Sequence, residues 1–254
     1  DVTAIIEIKG VISDQTEASA DNVISALRDA FEYKHTKGVI LRINSPGGSP
    51  VQSSYIHDEI NRLSKANEDI PVYAVVTDIC ASGGYYIAAA ADQIYVDKSS
   101  IVGSIGVLMD GYGFVDTIDK LGVDRRLMTA GEHKGILDPF SPVKTDEKEH
   151  VRGILDQLHQ HLIQAVKDGR GNRLKDDEKV FSGLFWSCEK SIALGLADER
   201  GSSSYVAREV VKAETLKDFT KREDVFERFL EKLGASMSAS LLKLTGFSGG
   251  PVIR

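Results

Sequence analysis

Two apolar runs in the first third of the chain each lead into a pair of glycines. Residues 38–43 lead into Asn44-Ser45-Pro46-Gly47-Gly48, and residues 71–76 lead into Ala81-Ser82-Gly83-Gly84-Tyr85-Tyr86. Because both runs are rich in β-branched residues and bounded by turn-forming residues, they are predicted to be buried strands. A helical pattern follows each turn. A strand, a turn and a helix in repeated succession predict a parallel sheet covered by helices.

The same alternation continues along the chain. Further strands are predicted at residues 3–8, 93–96, 103–109 and 124–128, and helices at residues 19–33, 51–66, 114–121, 145–167, 188–194 and 203–212. We therefore expect an α/β fold of repeated ββα and βαβ units, with a largely parallel sheet and outer helices. Residues 1–143 are predicted to form the α/β catalytic core and residues 144–220 its helical continuation. Residues 221–254 form a C-terminal tail that we expect to pack on its own core or on a neighbouring subunit.

Composition excludes several classes of function. The net charge of −7 and the lack of basic clusters argue against a nucleic-acid-binding protein. Two cysteines are too few for a disulfide framework or a zinc site, and we expect neither a metal nor a cofactor. The sequence contains no run of 18 apolar residues, so no membrane span is predicted within these residues.

Ser82 lies where a predicted strand turns into a predicted helix. The start of a helix offers free N–H groups and a partial positive charge, which suits a nucleophile. Ser82 is equally typical of an ordinary helix-capping residue. The glycine turns follow two strands whose carboxyl ends meet at one edge of the sheet. The N–H of Gly83 and one from Gly47 or Gly48 are therefore candidates for an oxyanion hole, unless these are two unrelated tight turns.

A serine nucleophile needs a base. Most of the six histidines lie in polar stretches and are predicted to be solvated; these are His35, His57, His150, His159 and His161. Only His133 lies in a glycine-rich loop, and its neighbour is Lys134. A lysine acts as a base in its neutral form, which removal from water favours. Lys134 is flanked by Gly131, Gly135 and Ile136 rather than by charged residues, so it is the candidate lysine.

Four motifs occur in order and at suitable spacing along the chain. They are Asn44-Ser45-Pro46-Gly47-Gly48, Ala81-Ser82-Gly83-Gly84-Tyr85-Tyr86, Gly103-Ser104-Ile105-Gly106-Val107 and Gly131-Glu132-His133-Lys134. Together they resemble the signal peptide peptidase A family in its short, single-repeat form. These are serine–lysine proteases with the Clp protease/crotonase-like fold. The resemblance covers about residues 2–215 and leaves the tail open.

The resemblance implies a role for each motif. Ser82 would be the nucleophile and Lys134 the general base, and Ser104 would hydrogen-bond the lysine and orient it. Gly83 and the Gly47-Gly48 turn would supply the oxyanion donors. The implied substrates are remnant signal peptides and other apolar, extended peptides.

The resemblance also implies a location and an assembly. It places the catalytic domain on the extracytoplasmic side of the bacterial cytoplasmic membrane, with an N-terminal anchor expected before Asp1. A single-repeat chain would form a ring-shaped homo-oligomer in which each site joins Ser82 of one subunit to Lys134 of its neighbour.

Three other functions fit parts of the pattern. A crotonase-type enzyme acting on acyl-CoA thioesters would share the fold and the paired oxyanion donors, but it would not need a serine and a lysine at one point. A Clp-like Ser-His-Asp protease would need a histidine soon after the nucleophile, and residues 83–132 contain none. A non-catalytic scaffold for membrane proteins would hydrolyse nothing despite intact motifs.

Overall fold

The apolar runs of the sequence form the centre of one largely parallel sheet. The computed structural model describes residues 1–222 of the chain. The strands are β1 (Val2–Lys9), β2 (Thr36–Ser45), β3 (Val72–Ala81), β4 (Gln93–Val96), β5 (Ile101–Gly103), β6 (Phe185–Ser187), β7 (Glu199–Arg200) and β8 (Leu216–Asp218). Their order along the main path is β6-β5-β3-β2-β1-β8, and β4 pairs with β3 and β7. Every pairing is parallel except that of β5 with β6.

Strand β3 divides the sheet. Its first part pairs with β4, from Tyr73 to Val76, and its last three residues pair with β5, from Ile79 to Ala81. The neighbouring end of β2 therefore lies beside the end of β3, where Ser45 pairs with Cys80. This arrangement brings the two glycine turns to the same edge of the sheet.

The helices cover this sheet. They are α1 (Ala20–Glu32), α2 (Pro50–Ala66), α3 (Gly83–Ala88), α4 (Val115–Lys120), α5 (Thr145–Arg170), α6 (Cys188–Ala193) and α7 (Ser203–Tyr205), which a π-helical stretch continues over Val206–Val211. Short 3-10 helices span Gly171–Arg173 and Glu178–Phe181. Side chains fix two of the helix starts. Ser19 accepts a hydrogen bond from the Asn22 N–H, and Ser49 accepts one from the Gln52 N–H before a proline at the first helical position.

Both faces of the central strands are buried, as expected for a parallel sheet. Alternate residues of β1 and β2 belong to two different apolar clusters because side chains alternate across a strand. The larger cluster, which includes residues of α1, α2 and α3, contains Ile6, Ile8, Leu41, Ile43, Leu27, Ile56 and Ile87. The smaller cluster, which includes residues of the π-helical stretch, contains Ile5, Ile40, Tyr73, Val75, Tyr95, Val206 and Ala207. These clusters and the parallel pairing confirm the predicted α/β fold class.

Three sequence predictions of elements were wrong. The strand predicted at 103–109 lies instead at Ile101–Gly103, because the positive φ values of Gly103 (119°) and Ser104 (51°) turn the chain away where the predicted strand begins. Residues 124–128 form no strand, since they lie on an exposed segment that pairs with none of the strands of residues 1–222. Only helices were predicted for residues 144–220, yet β6, β7 and β8 come from this part. They are two or three residues long, which is too short to show a period in the sequence.

The long helix α5 is fastened to the sheet at its carboxyl end. Arg170 is 1% exposed; its Nε donates to the Gly195 carbonyl oxygen, and both terminal nitrogens donate to Asp198, at 2.9 and 2.7 Å. Asp198 also accepts from the Ile94 N–H of β4. Burial in itself raises the pKa of Asp198, but the hydrogen bonds from Arg170 and Ile94 outweigh it and leave that pKa below its ordinary value.

Two further predictions concern the C-terminal tail and membrane-spanning segments. Beyond residue 222, the predicted C-terminal tail lies outside the described residues. Among residues 1–222, no helix is both long enough and apolar enough to cross a bilayer.

Candidate active site

Ser82 occupies the turn between β3 and α3 in a strained conformation. Its φ of 51° and ψ of −119° are unusual for a residue with a side chain. The Ser82 N–H donates to the Gly103 carbonyl oxygen at 2.9 Å, and the Ser82 carbonyl accepts from the Tyr86 N–H. The side chain does not cap α3; Oγ donates instead to the Gly106 carbonyl oxygen at 3.4 Å. An uncapped serine on a tight strand-to-helix turn is typical of a nucleophile.

The glycine turn after β2 lies directly against Ser82. At Gly47 (φ 99°), a Cβ would lie 2.9 Å from the Cβ of Ser82 and 2.7 Å from the Gly83 nitrogen. At Gly83, a Cβ would lie 3.3 Å from the Gly48 nitrogen. The two turns are therefore in contact.

These amides differ in their hydrogen bonding. The Gly47 N–H donates to Ser45 Oγ at 3.1 Å, and Ser45 Oγ in turn donates to the Gly10 carbonyl oxygen. The N–H groups of Gly48 and Gly83 have no acceptor among residues 1–222. Two free N–H groups beside a serine are what an oxyanion hole requires. Gly47 shapes this pair by its close approach, while Gly48 and Gly83 carry the free donors.

Ser104 enters the same cleft from the end of β5. Its φ is 51°, and its N–H donates to the Leu184 carbonyl oxygen at 2.7 Å. The cleft has a volume of about 660 Å³. The residues that line it are Pro46, Gly48, Pro50, Ser82, Gly83, Tyr86, Ser104, Gly106, Val107, Leu108, Leu158, His159, Leu162, Phe181, Ser182 and Gly183. None is a lysine, arginine, aspartate or glutamate, so the cleft suits an uncharged, largely apolar chain.

Lys134 does not line this cleft. It belongs to the arm, which we define as residues 107–143, the segment that leaves the sheet after β5 and returns at α5. The Lys134 side chain is exposed and makes no hydrogen bond or ion pair within residues 1–222. A single chain therefore brings together Ser82, Ser104, Gly47, Gly48 and Gly83, but not Lys134.

The arm exposes many apolar side chains. No residue between 107 and 143 is buried. Leu108, Tyr112, Leu121 and Met128 are between 72% and 93% exposed. The arm nevertheless has internal contacts, among them Phe114 against Phe140, with ring centroids 5.6 Å apart, and an ion pair between Arg125 and Asp138. The apolar clusters of residues 1–222 contain no side chain of the arm.

Two histidines differ from the solvated state predicted for them. His57 is 9% exposed, and its ring lies 5.1 Å from that of Tyr86. His159 is half-buried on α5, and its Nε2 lies 3.1 Å from the Ile105 carbonyl oxygen. A signal for His159 was present in the sequence, because Leu155, Leu158 and Leu162 lie within one turn of it on the same helix. Within residues 1–222, no group of histidine, cysteine and acidic residues is arranged to hold a metal ion.

Comparisons with known proteins place the chain among the following relatives. The "Na(+)/H(+) antiporter NhaA" of Brucella melitensis is 45% identical over 175 residues, which is 69% of this chain but 24% of that protein. The "Putative protease MJ0651" of Methanocaldococcus jannaschii is 30% identical over 94% of this chain and 73% of its own length. The "Putative signal peptide peptidase SppA" of Enterococcus faecium is 28% identical over 85% of this chain and 64% of its own length. The chain thus spans about a quarter of the Brucella protein and about two thirds of the Enterococcus protein.

A family model gives the assignment. The model described as Peptidase family S49 matches residues 64–217, which include Ser82, Ser104 and Lys134. The relatives with protease names confirm the family that the four motifs predicted. The chain belongs to peptidase family S49.

Proposed function

We propose that the chain is a serine endopeptidase that uses Ser82 as nucleophile and Lys134 as general base. The observation that carries this proposal is the uncapped Ser82, held at φ 51° beside the free N–H groups of Gly48 and Gly83. Strain of this kind persists where the surroundings enforce it, and it is concentrated at functional sites.

The proposed chemistry gives each of these residues one role. Ser82 Oγ attacks the scissile carbonyl carbon while neutral Lys134 takes the hydroxyl proton. The negative charge that develops on the carbonyl oxygen is stabilised by the N–H groups of Gly48 and Gly83, and each such donor typically contributes about 100- to 1000-fold in rate. Lys134 then gives the proton to the leaving amine, and the acyl-enzyme is hydrolysed by a water molecule that Lys134 deprotonates. Ser104 orients the lysine by a hydrogen bond.

We further propose that Lys134 reaches the Ser82 cleft of a neighbouring subunit. Two observations support this: Lys134 lies on the arm outside its own cleft, and the arm exposes apolar side chains that a second copy would cover. Head-to-tail contacts of this kind close into a ring when the rotation permits. Removal of the lysine from water at the contact would favour its neutral, active form.

The proposed substrates are apolar, extended peptides, including remnant signal peptides. The uncharged, leucine-lined cleft supports this class, as does the name of the Enterococcus relative. Such substrates are found at membranes, so we propose that the catalytic domain works at the extracytoplasmic face of the bacterial cytoplasmic membrane.

Subunit mixing tests the shared site. Ser82→Ala and Lys134→Ala should each remove nearly all activity, by several orders of magnitude. Ser104→Ala should reduce activity less, because Ser104 only orients the base. When the two inactive variants are dissociated and assembled together, sites with both an intact serine and an intact lysine form at some contacts. Partial recovery of peptide hydrolysis is the expected result.

The matched control replaces the Lys134→Ala partner by the double variant Ser82→Ala/Lys134→Ala, which can supply no complete site. Without recovery in rings that native mass spectrometry shows to be mixed, the shared site would be refuted. The nucleophile is tested separately: a fluorophosphonate probe should label Ser82 in the wild-type protein, as mapped by mass spectrometry.

A further inference from the structure

The loop after β5 is held at three successive residues. The Ser104 N–H donates to the Leu184 carbonyl oxygen at 2.7 Å, and the Gly106 carbonyl oxygen accepts from Ser82 Oγ at 3.4 Å. Between them, the Ile105 carbonyl oxygen lies 3.1 Å from Nε2 of His159. Of these three contacts, only the one with His159 comes from α5.

The bond between His159 and Ile105 has a fixed direction. A carbonyl oxygen can only accept, so Nε2 of His159 carries the proton. The Ile105 side chain is fully buried in the larger apolar cluster, which also anchors this residue. The imidazole therefore clamps the peptide unit that follows Ile105, and that unit leads directly into Gly106. The contact with His159 thus lies one residue before the Gly106 carbonyl oxygen that accepts from Ser82 Oγ.

We infer that His159 is a positioning residue for the nucleophile. It ties α5 to the 104–106 loop and so fixes both Ser104 and the carbonyl oxygen that holds Ser82 Oγ. This inference rests on the proposed function, in which Ser82 is the nucleophile and Ser104 orients the base. The His159 side chain also forms part of the cleft wall beside Leu158 and Leu162, so a replacement must have a side chain of similar size.

Two replacements separate the hydrogen bond from bulk. His159→Leu introduces an apolar side chain of similar size that has no hydrogen-bond donor. His159→Gln retains an N–H donor at a similar distance from the backbone. His161→Leu is the matched control, because His161 is exposed two residues further along the same helix. Each variant is made in the full chain. The readouts are the rate of Ser82 labelling by a fluorophosphonate, kcat and KM for an apolar peptide, and the melting temperature.

We expect His159→Leu to slow labelling and to lower kcat by about tenfold, as the loss of one hydrogen bond at the site implies, while KM changes by less than about twofold. His159→Gln should recover most of this loss. His161→Leu should match the wild type, and all melting temperatures should stay close together.

Three results would overturn the inference. They are wild-type labelling in His159→Leu, a loss in His159→Gln as large as in His159→Leu, or a loss of activity that only follows a lower melting temperature. A wild-type protein that no fluorophosphonate labels at Ser82 would instead refute the proposed function itself, so the two failures are distinguishable.

Discussion

At Gly47, the absence of a side chain decides what can lie beside Ser82. The residue needs a φ of 99°, and any Cβ would lie within 3 Å of Gly83 and Ser82. Glycine alone meets both conditions, since it adopts positive φ without strain and leaves the space open. The glycine thus allows two turns from separate strands to touch.

Gly47→Ala should therefore damage catalysis more than folding. The strain of a positive φ destabilises the protein by about 1–2 kcal/mol, and the clash displaces Ser82 and the Gly83 N–H. We expect kcat/KM for an apolar peptide to fall by 100-fold or more, the loss typical of a disturbed oxyanion hole. Gly171→Ala is the control, because Gly171 also has a positive φ (50°) but nothing within 4 Å of its Cβ position. Equal activity in the two variants would contradict this reading of Gly47.

The sequence predicted the role of a residue when its contacts lie close to it in the chain, and missed the role when they lie far away. Ser82, Gly83 and Gly47 stand in local motifs next to strands with clear patterns, and the structure brings them together at one edge of the sheet. The neighbouring leucines on α5 indicate that His159 is partly buried, but its hydrogen-bond partner lies 54 residues away, and no local pattern encodes that contact. The division of work between Gly47 and Gly48 likewise depends on Ser45 Oγ, whose direction only the folded chain defines.

Among the elements, α1 and α2 are joined by one acidic side chain. Glu59 of α2 is 8% exposed and accepts hydrogen bonds from Arg62 of its own helix and Arg28 of α1. The hydrogen bond from Arg62 is the largest influence, and with the help of Arg28 it lowers the pKa of Glu59 to about 2 despite the opposing effect of burial. The ionised carboxylate is thus the form that the fold stabilises.

This pKa gives a stability difference that depends on pH. In the unfolded chain Glu59 titrates near its ordinary value of 4.5, and in the folded chain near 2. The unfolded state therefore binds the extra proton between these values, so the contribution of Glu59 is present above about pH 4.5 and is lost as pH falls toward 2. We expect Glu59→Gln to lower the free energy of unfolding at pH 7, and the gap to the wild type to close toward pH 2. Urea unfolding at several pH values measures the gap; a gap independent of pH would contradict the assignment.

Element prediction succeeded where a period was long enough to see. The apolar spacing of α1 and α2 and the β-branched runs of β1 to β4 are readable in the sequence. Strands β6 to β8 are not, because each exists only through pairing with a strand far away in the chain. Strand β5 was predicted too far along the chain, because the sequence 103–109 has the apolar pattern of a strand. The positive φ values of Gly103 and Ser104 end the strand at Gly103.

For the whole molecule, the contact between Arg170 and Asp198 connects α5 to the part of the sheet around β4. The arginine is fully enclosed, and Asp198 is 17% exposed. A buried charge that loses its partner destabilises a protein strongly. The position of α5 matters beyond stability, because the same helix carries His159 to the cleft.

Arg170→Met should lower the free energy of unfolding by about 3 kcal/mol, the lower end of the range for a broken buried pair. Asp198 then keeps only the Ile94 N–H and the longer contact with Arg173, at 3.5 Å. The double variant Arg170→Met/Asp198→Asn removes the stranded charge and should recover part of the loss. Urea unfolding of the wild type, Arg170→Met, Asp198→Asn and the double variant measures both effects. If the double variant were as unstable as the sum of its single variants, the pair would not act as a unit.

The arm has a consequence for the timing of activity in the life of the chain. The apolar clusters of the described residues contain none of its side chains, so these clusters can form while the arm still faces solvent. With the proposed shared site, folding is a first-order event, whereas activation is second order because it waits for an encounter between copies. A newly made chain would then be harmless to its surroundings at low abundance and would become a protease only above a threshold density. With the proposed shared site, the exposed apolar surface of the arm would make activity depend on the concentration of the protein.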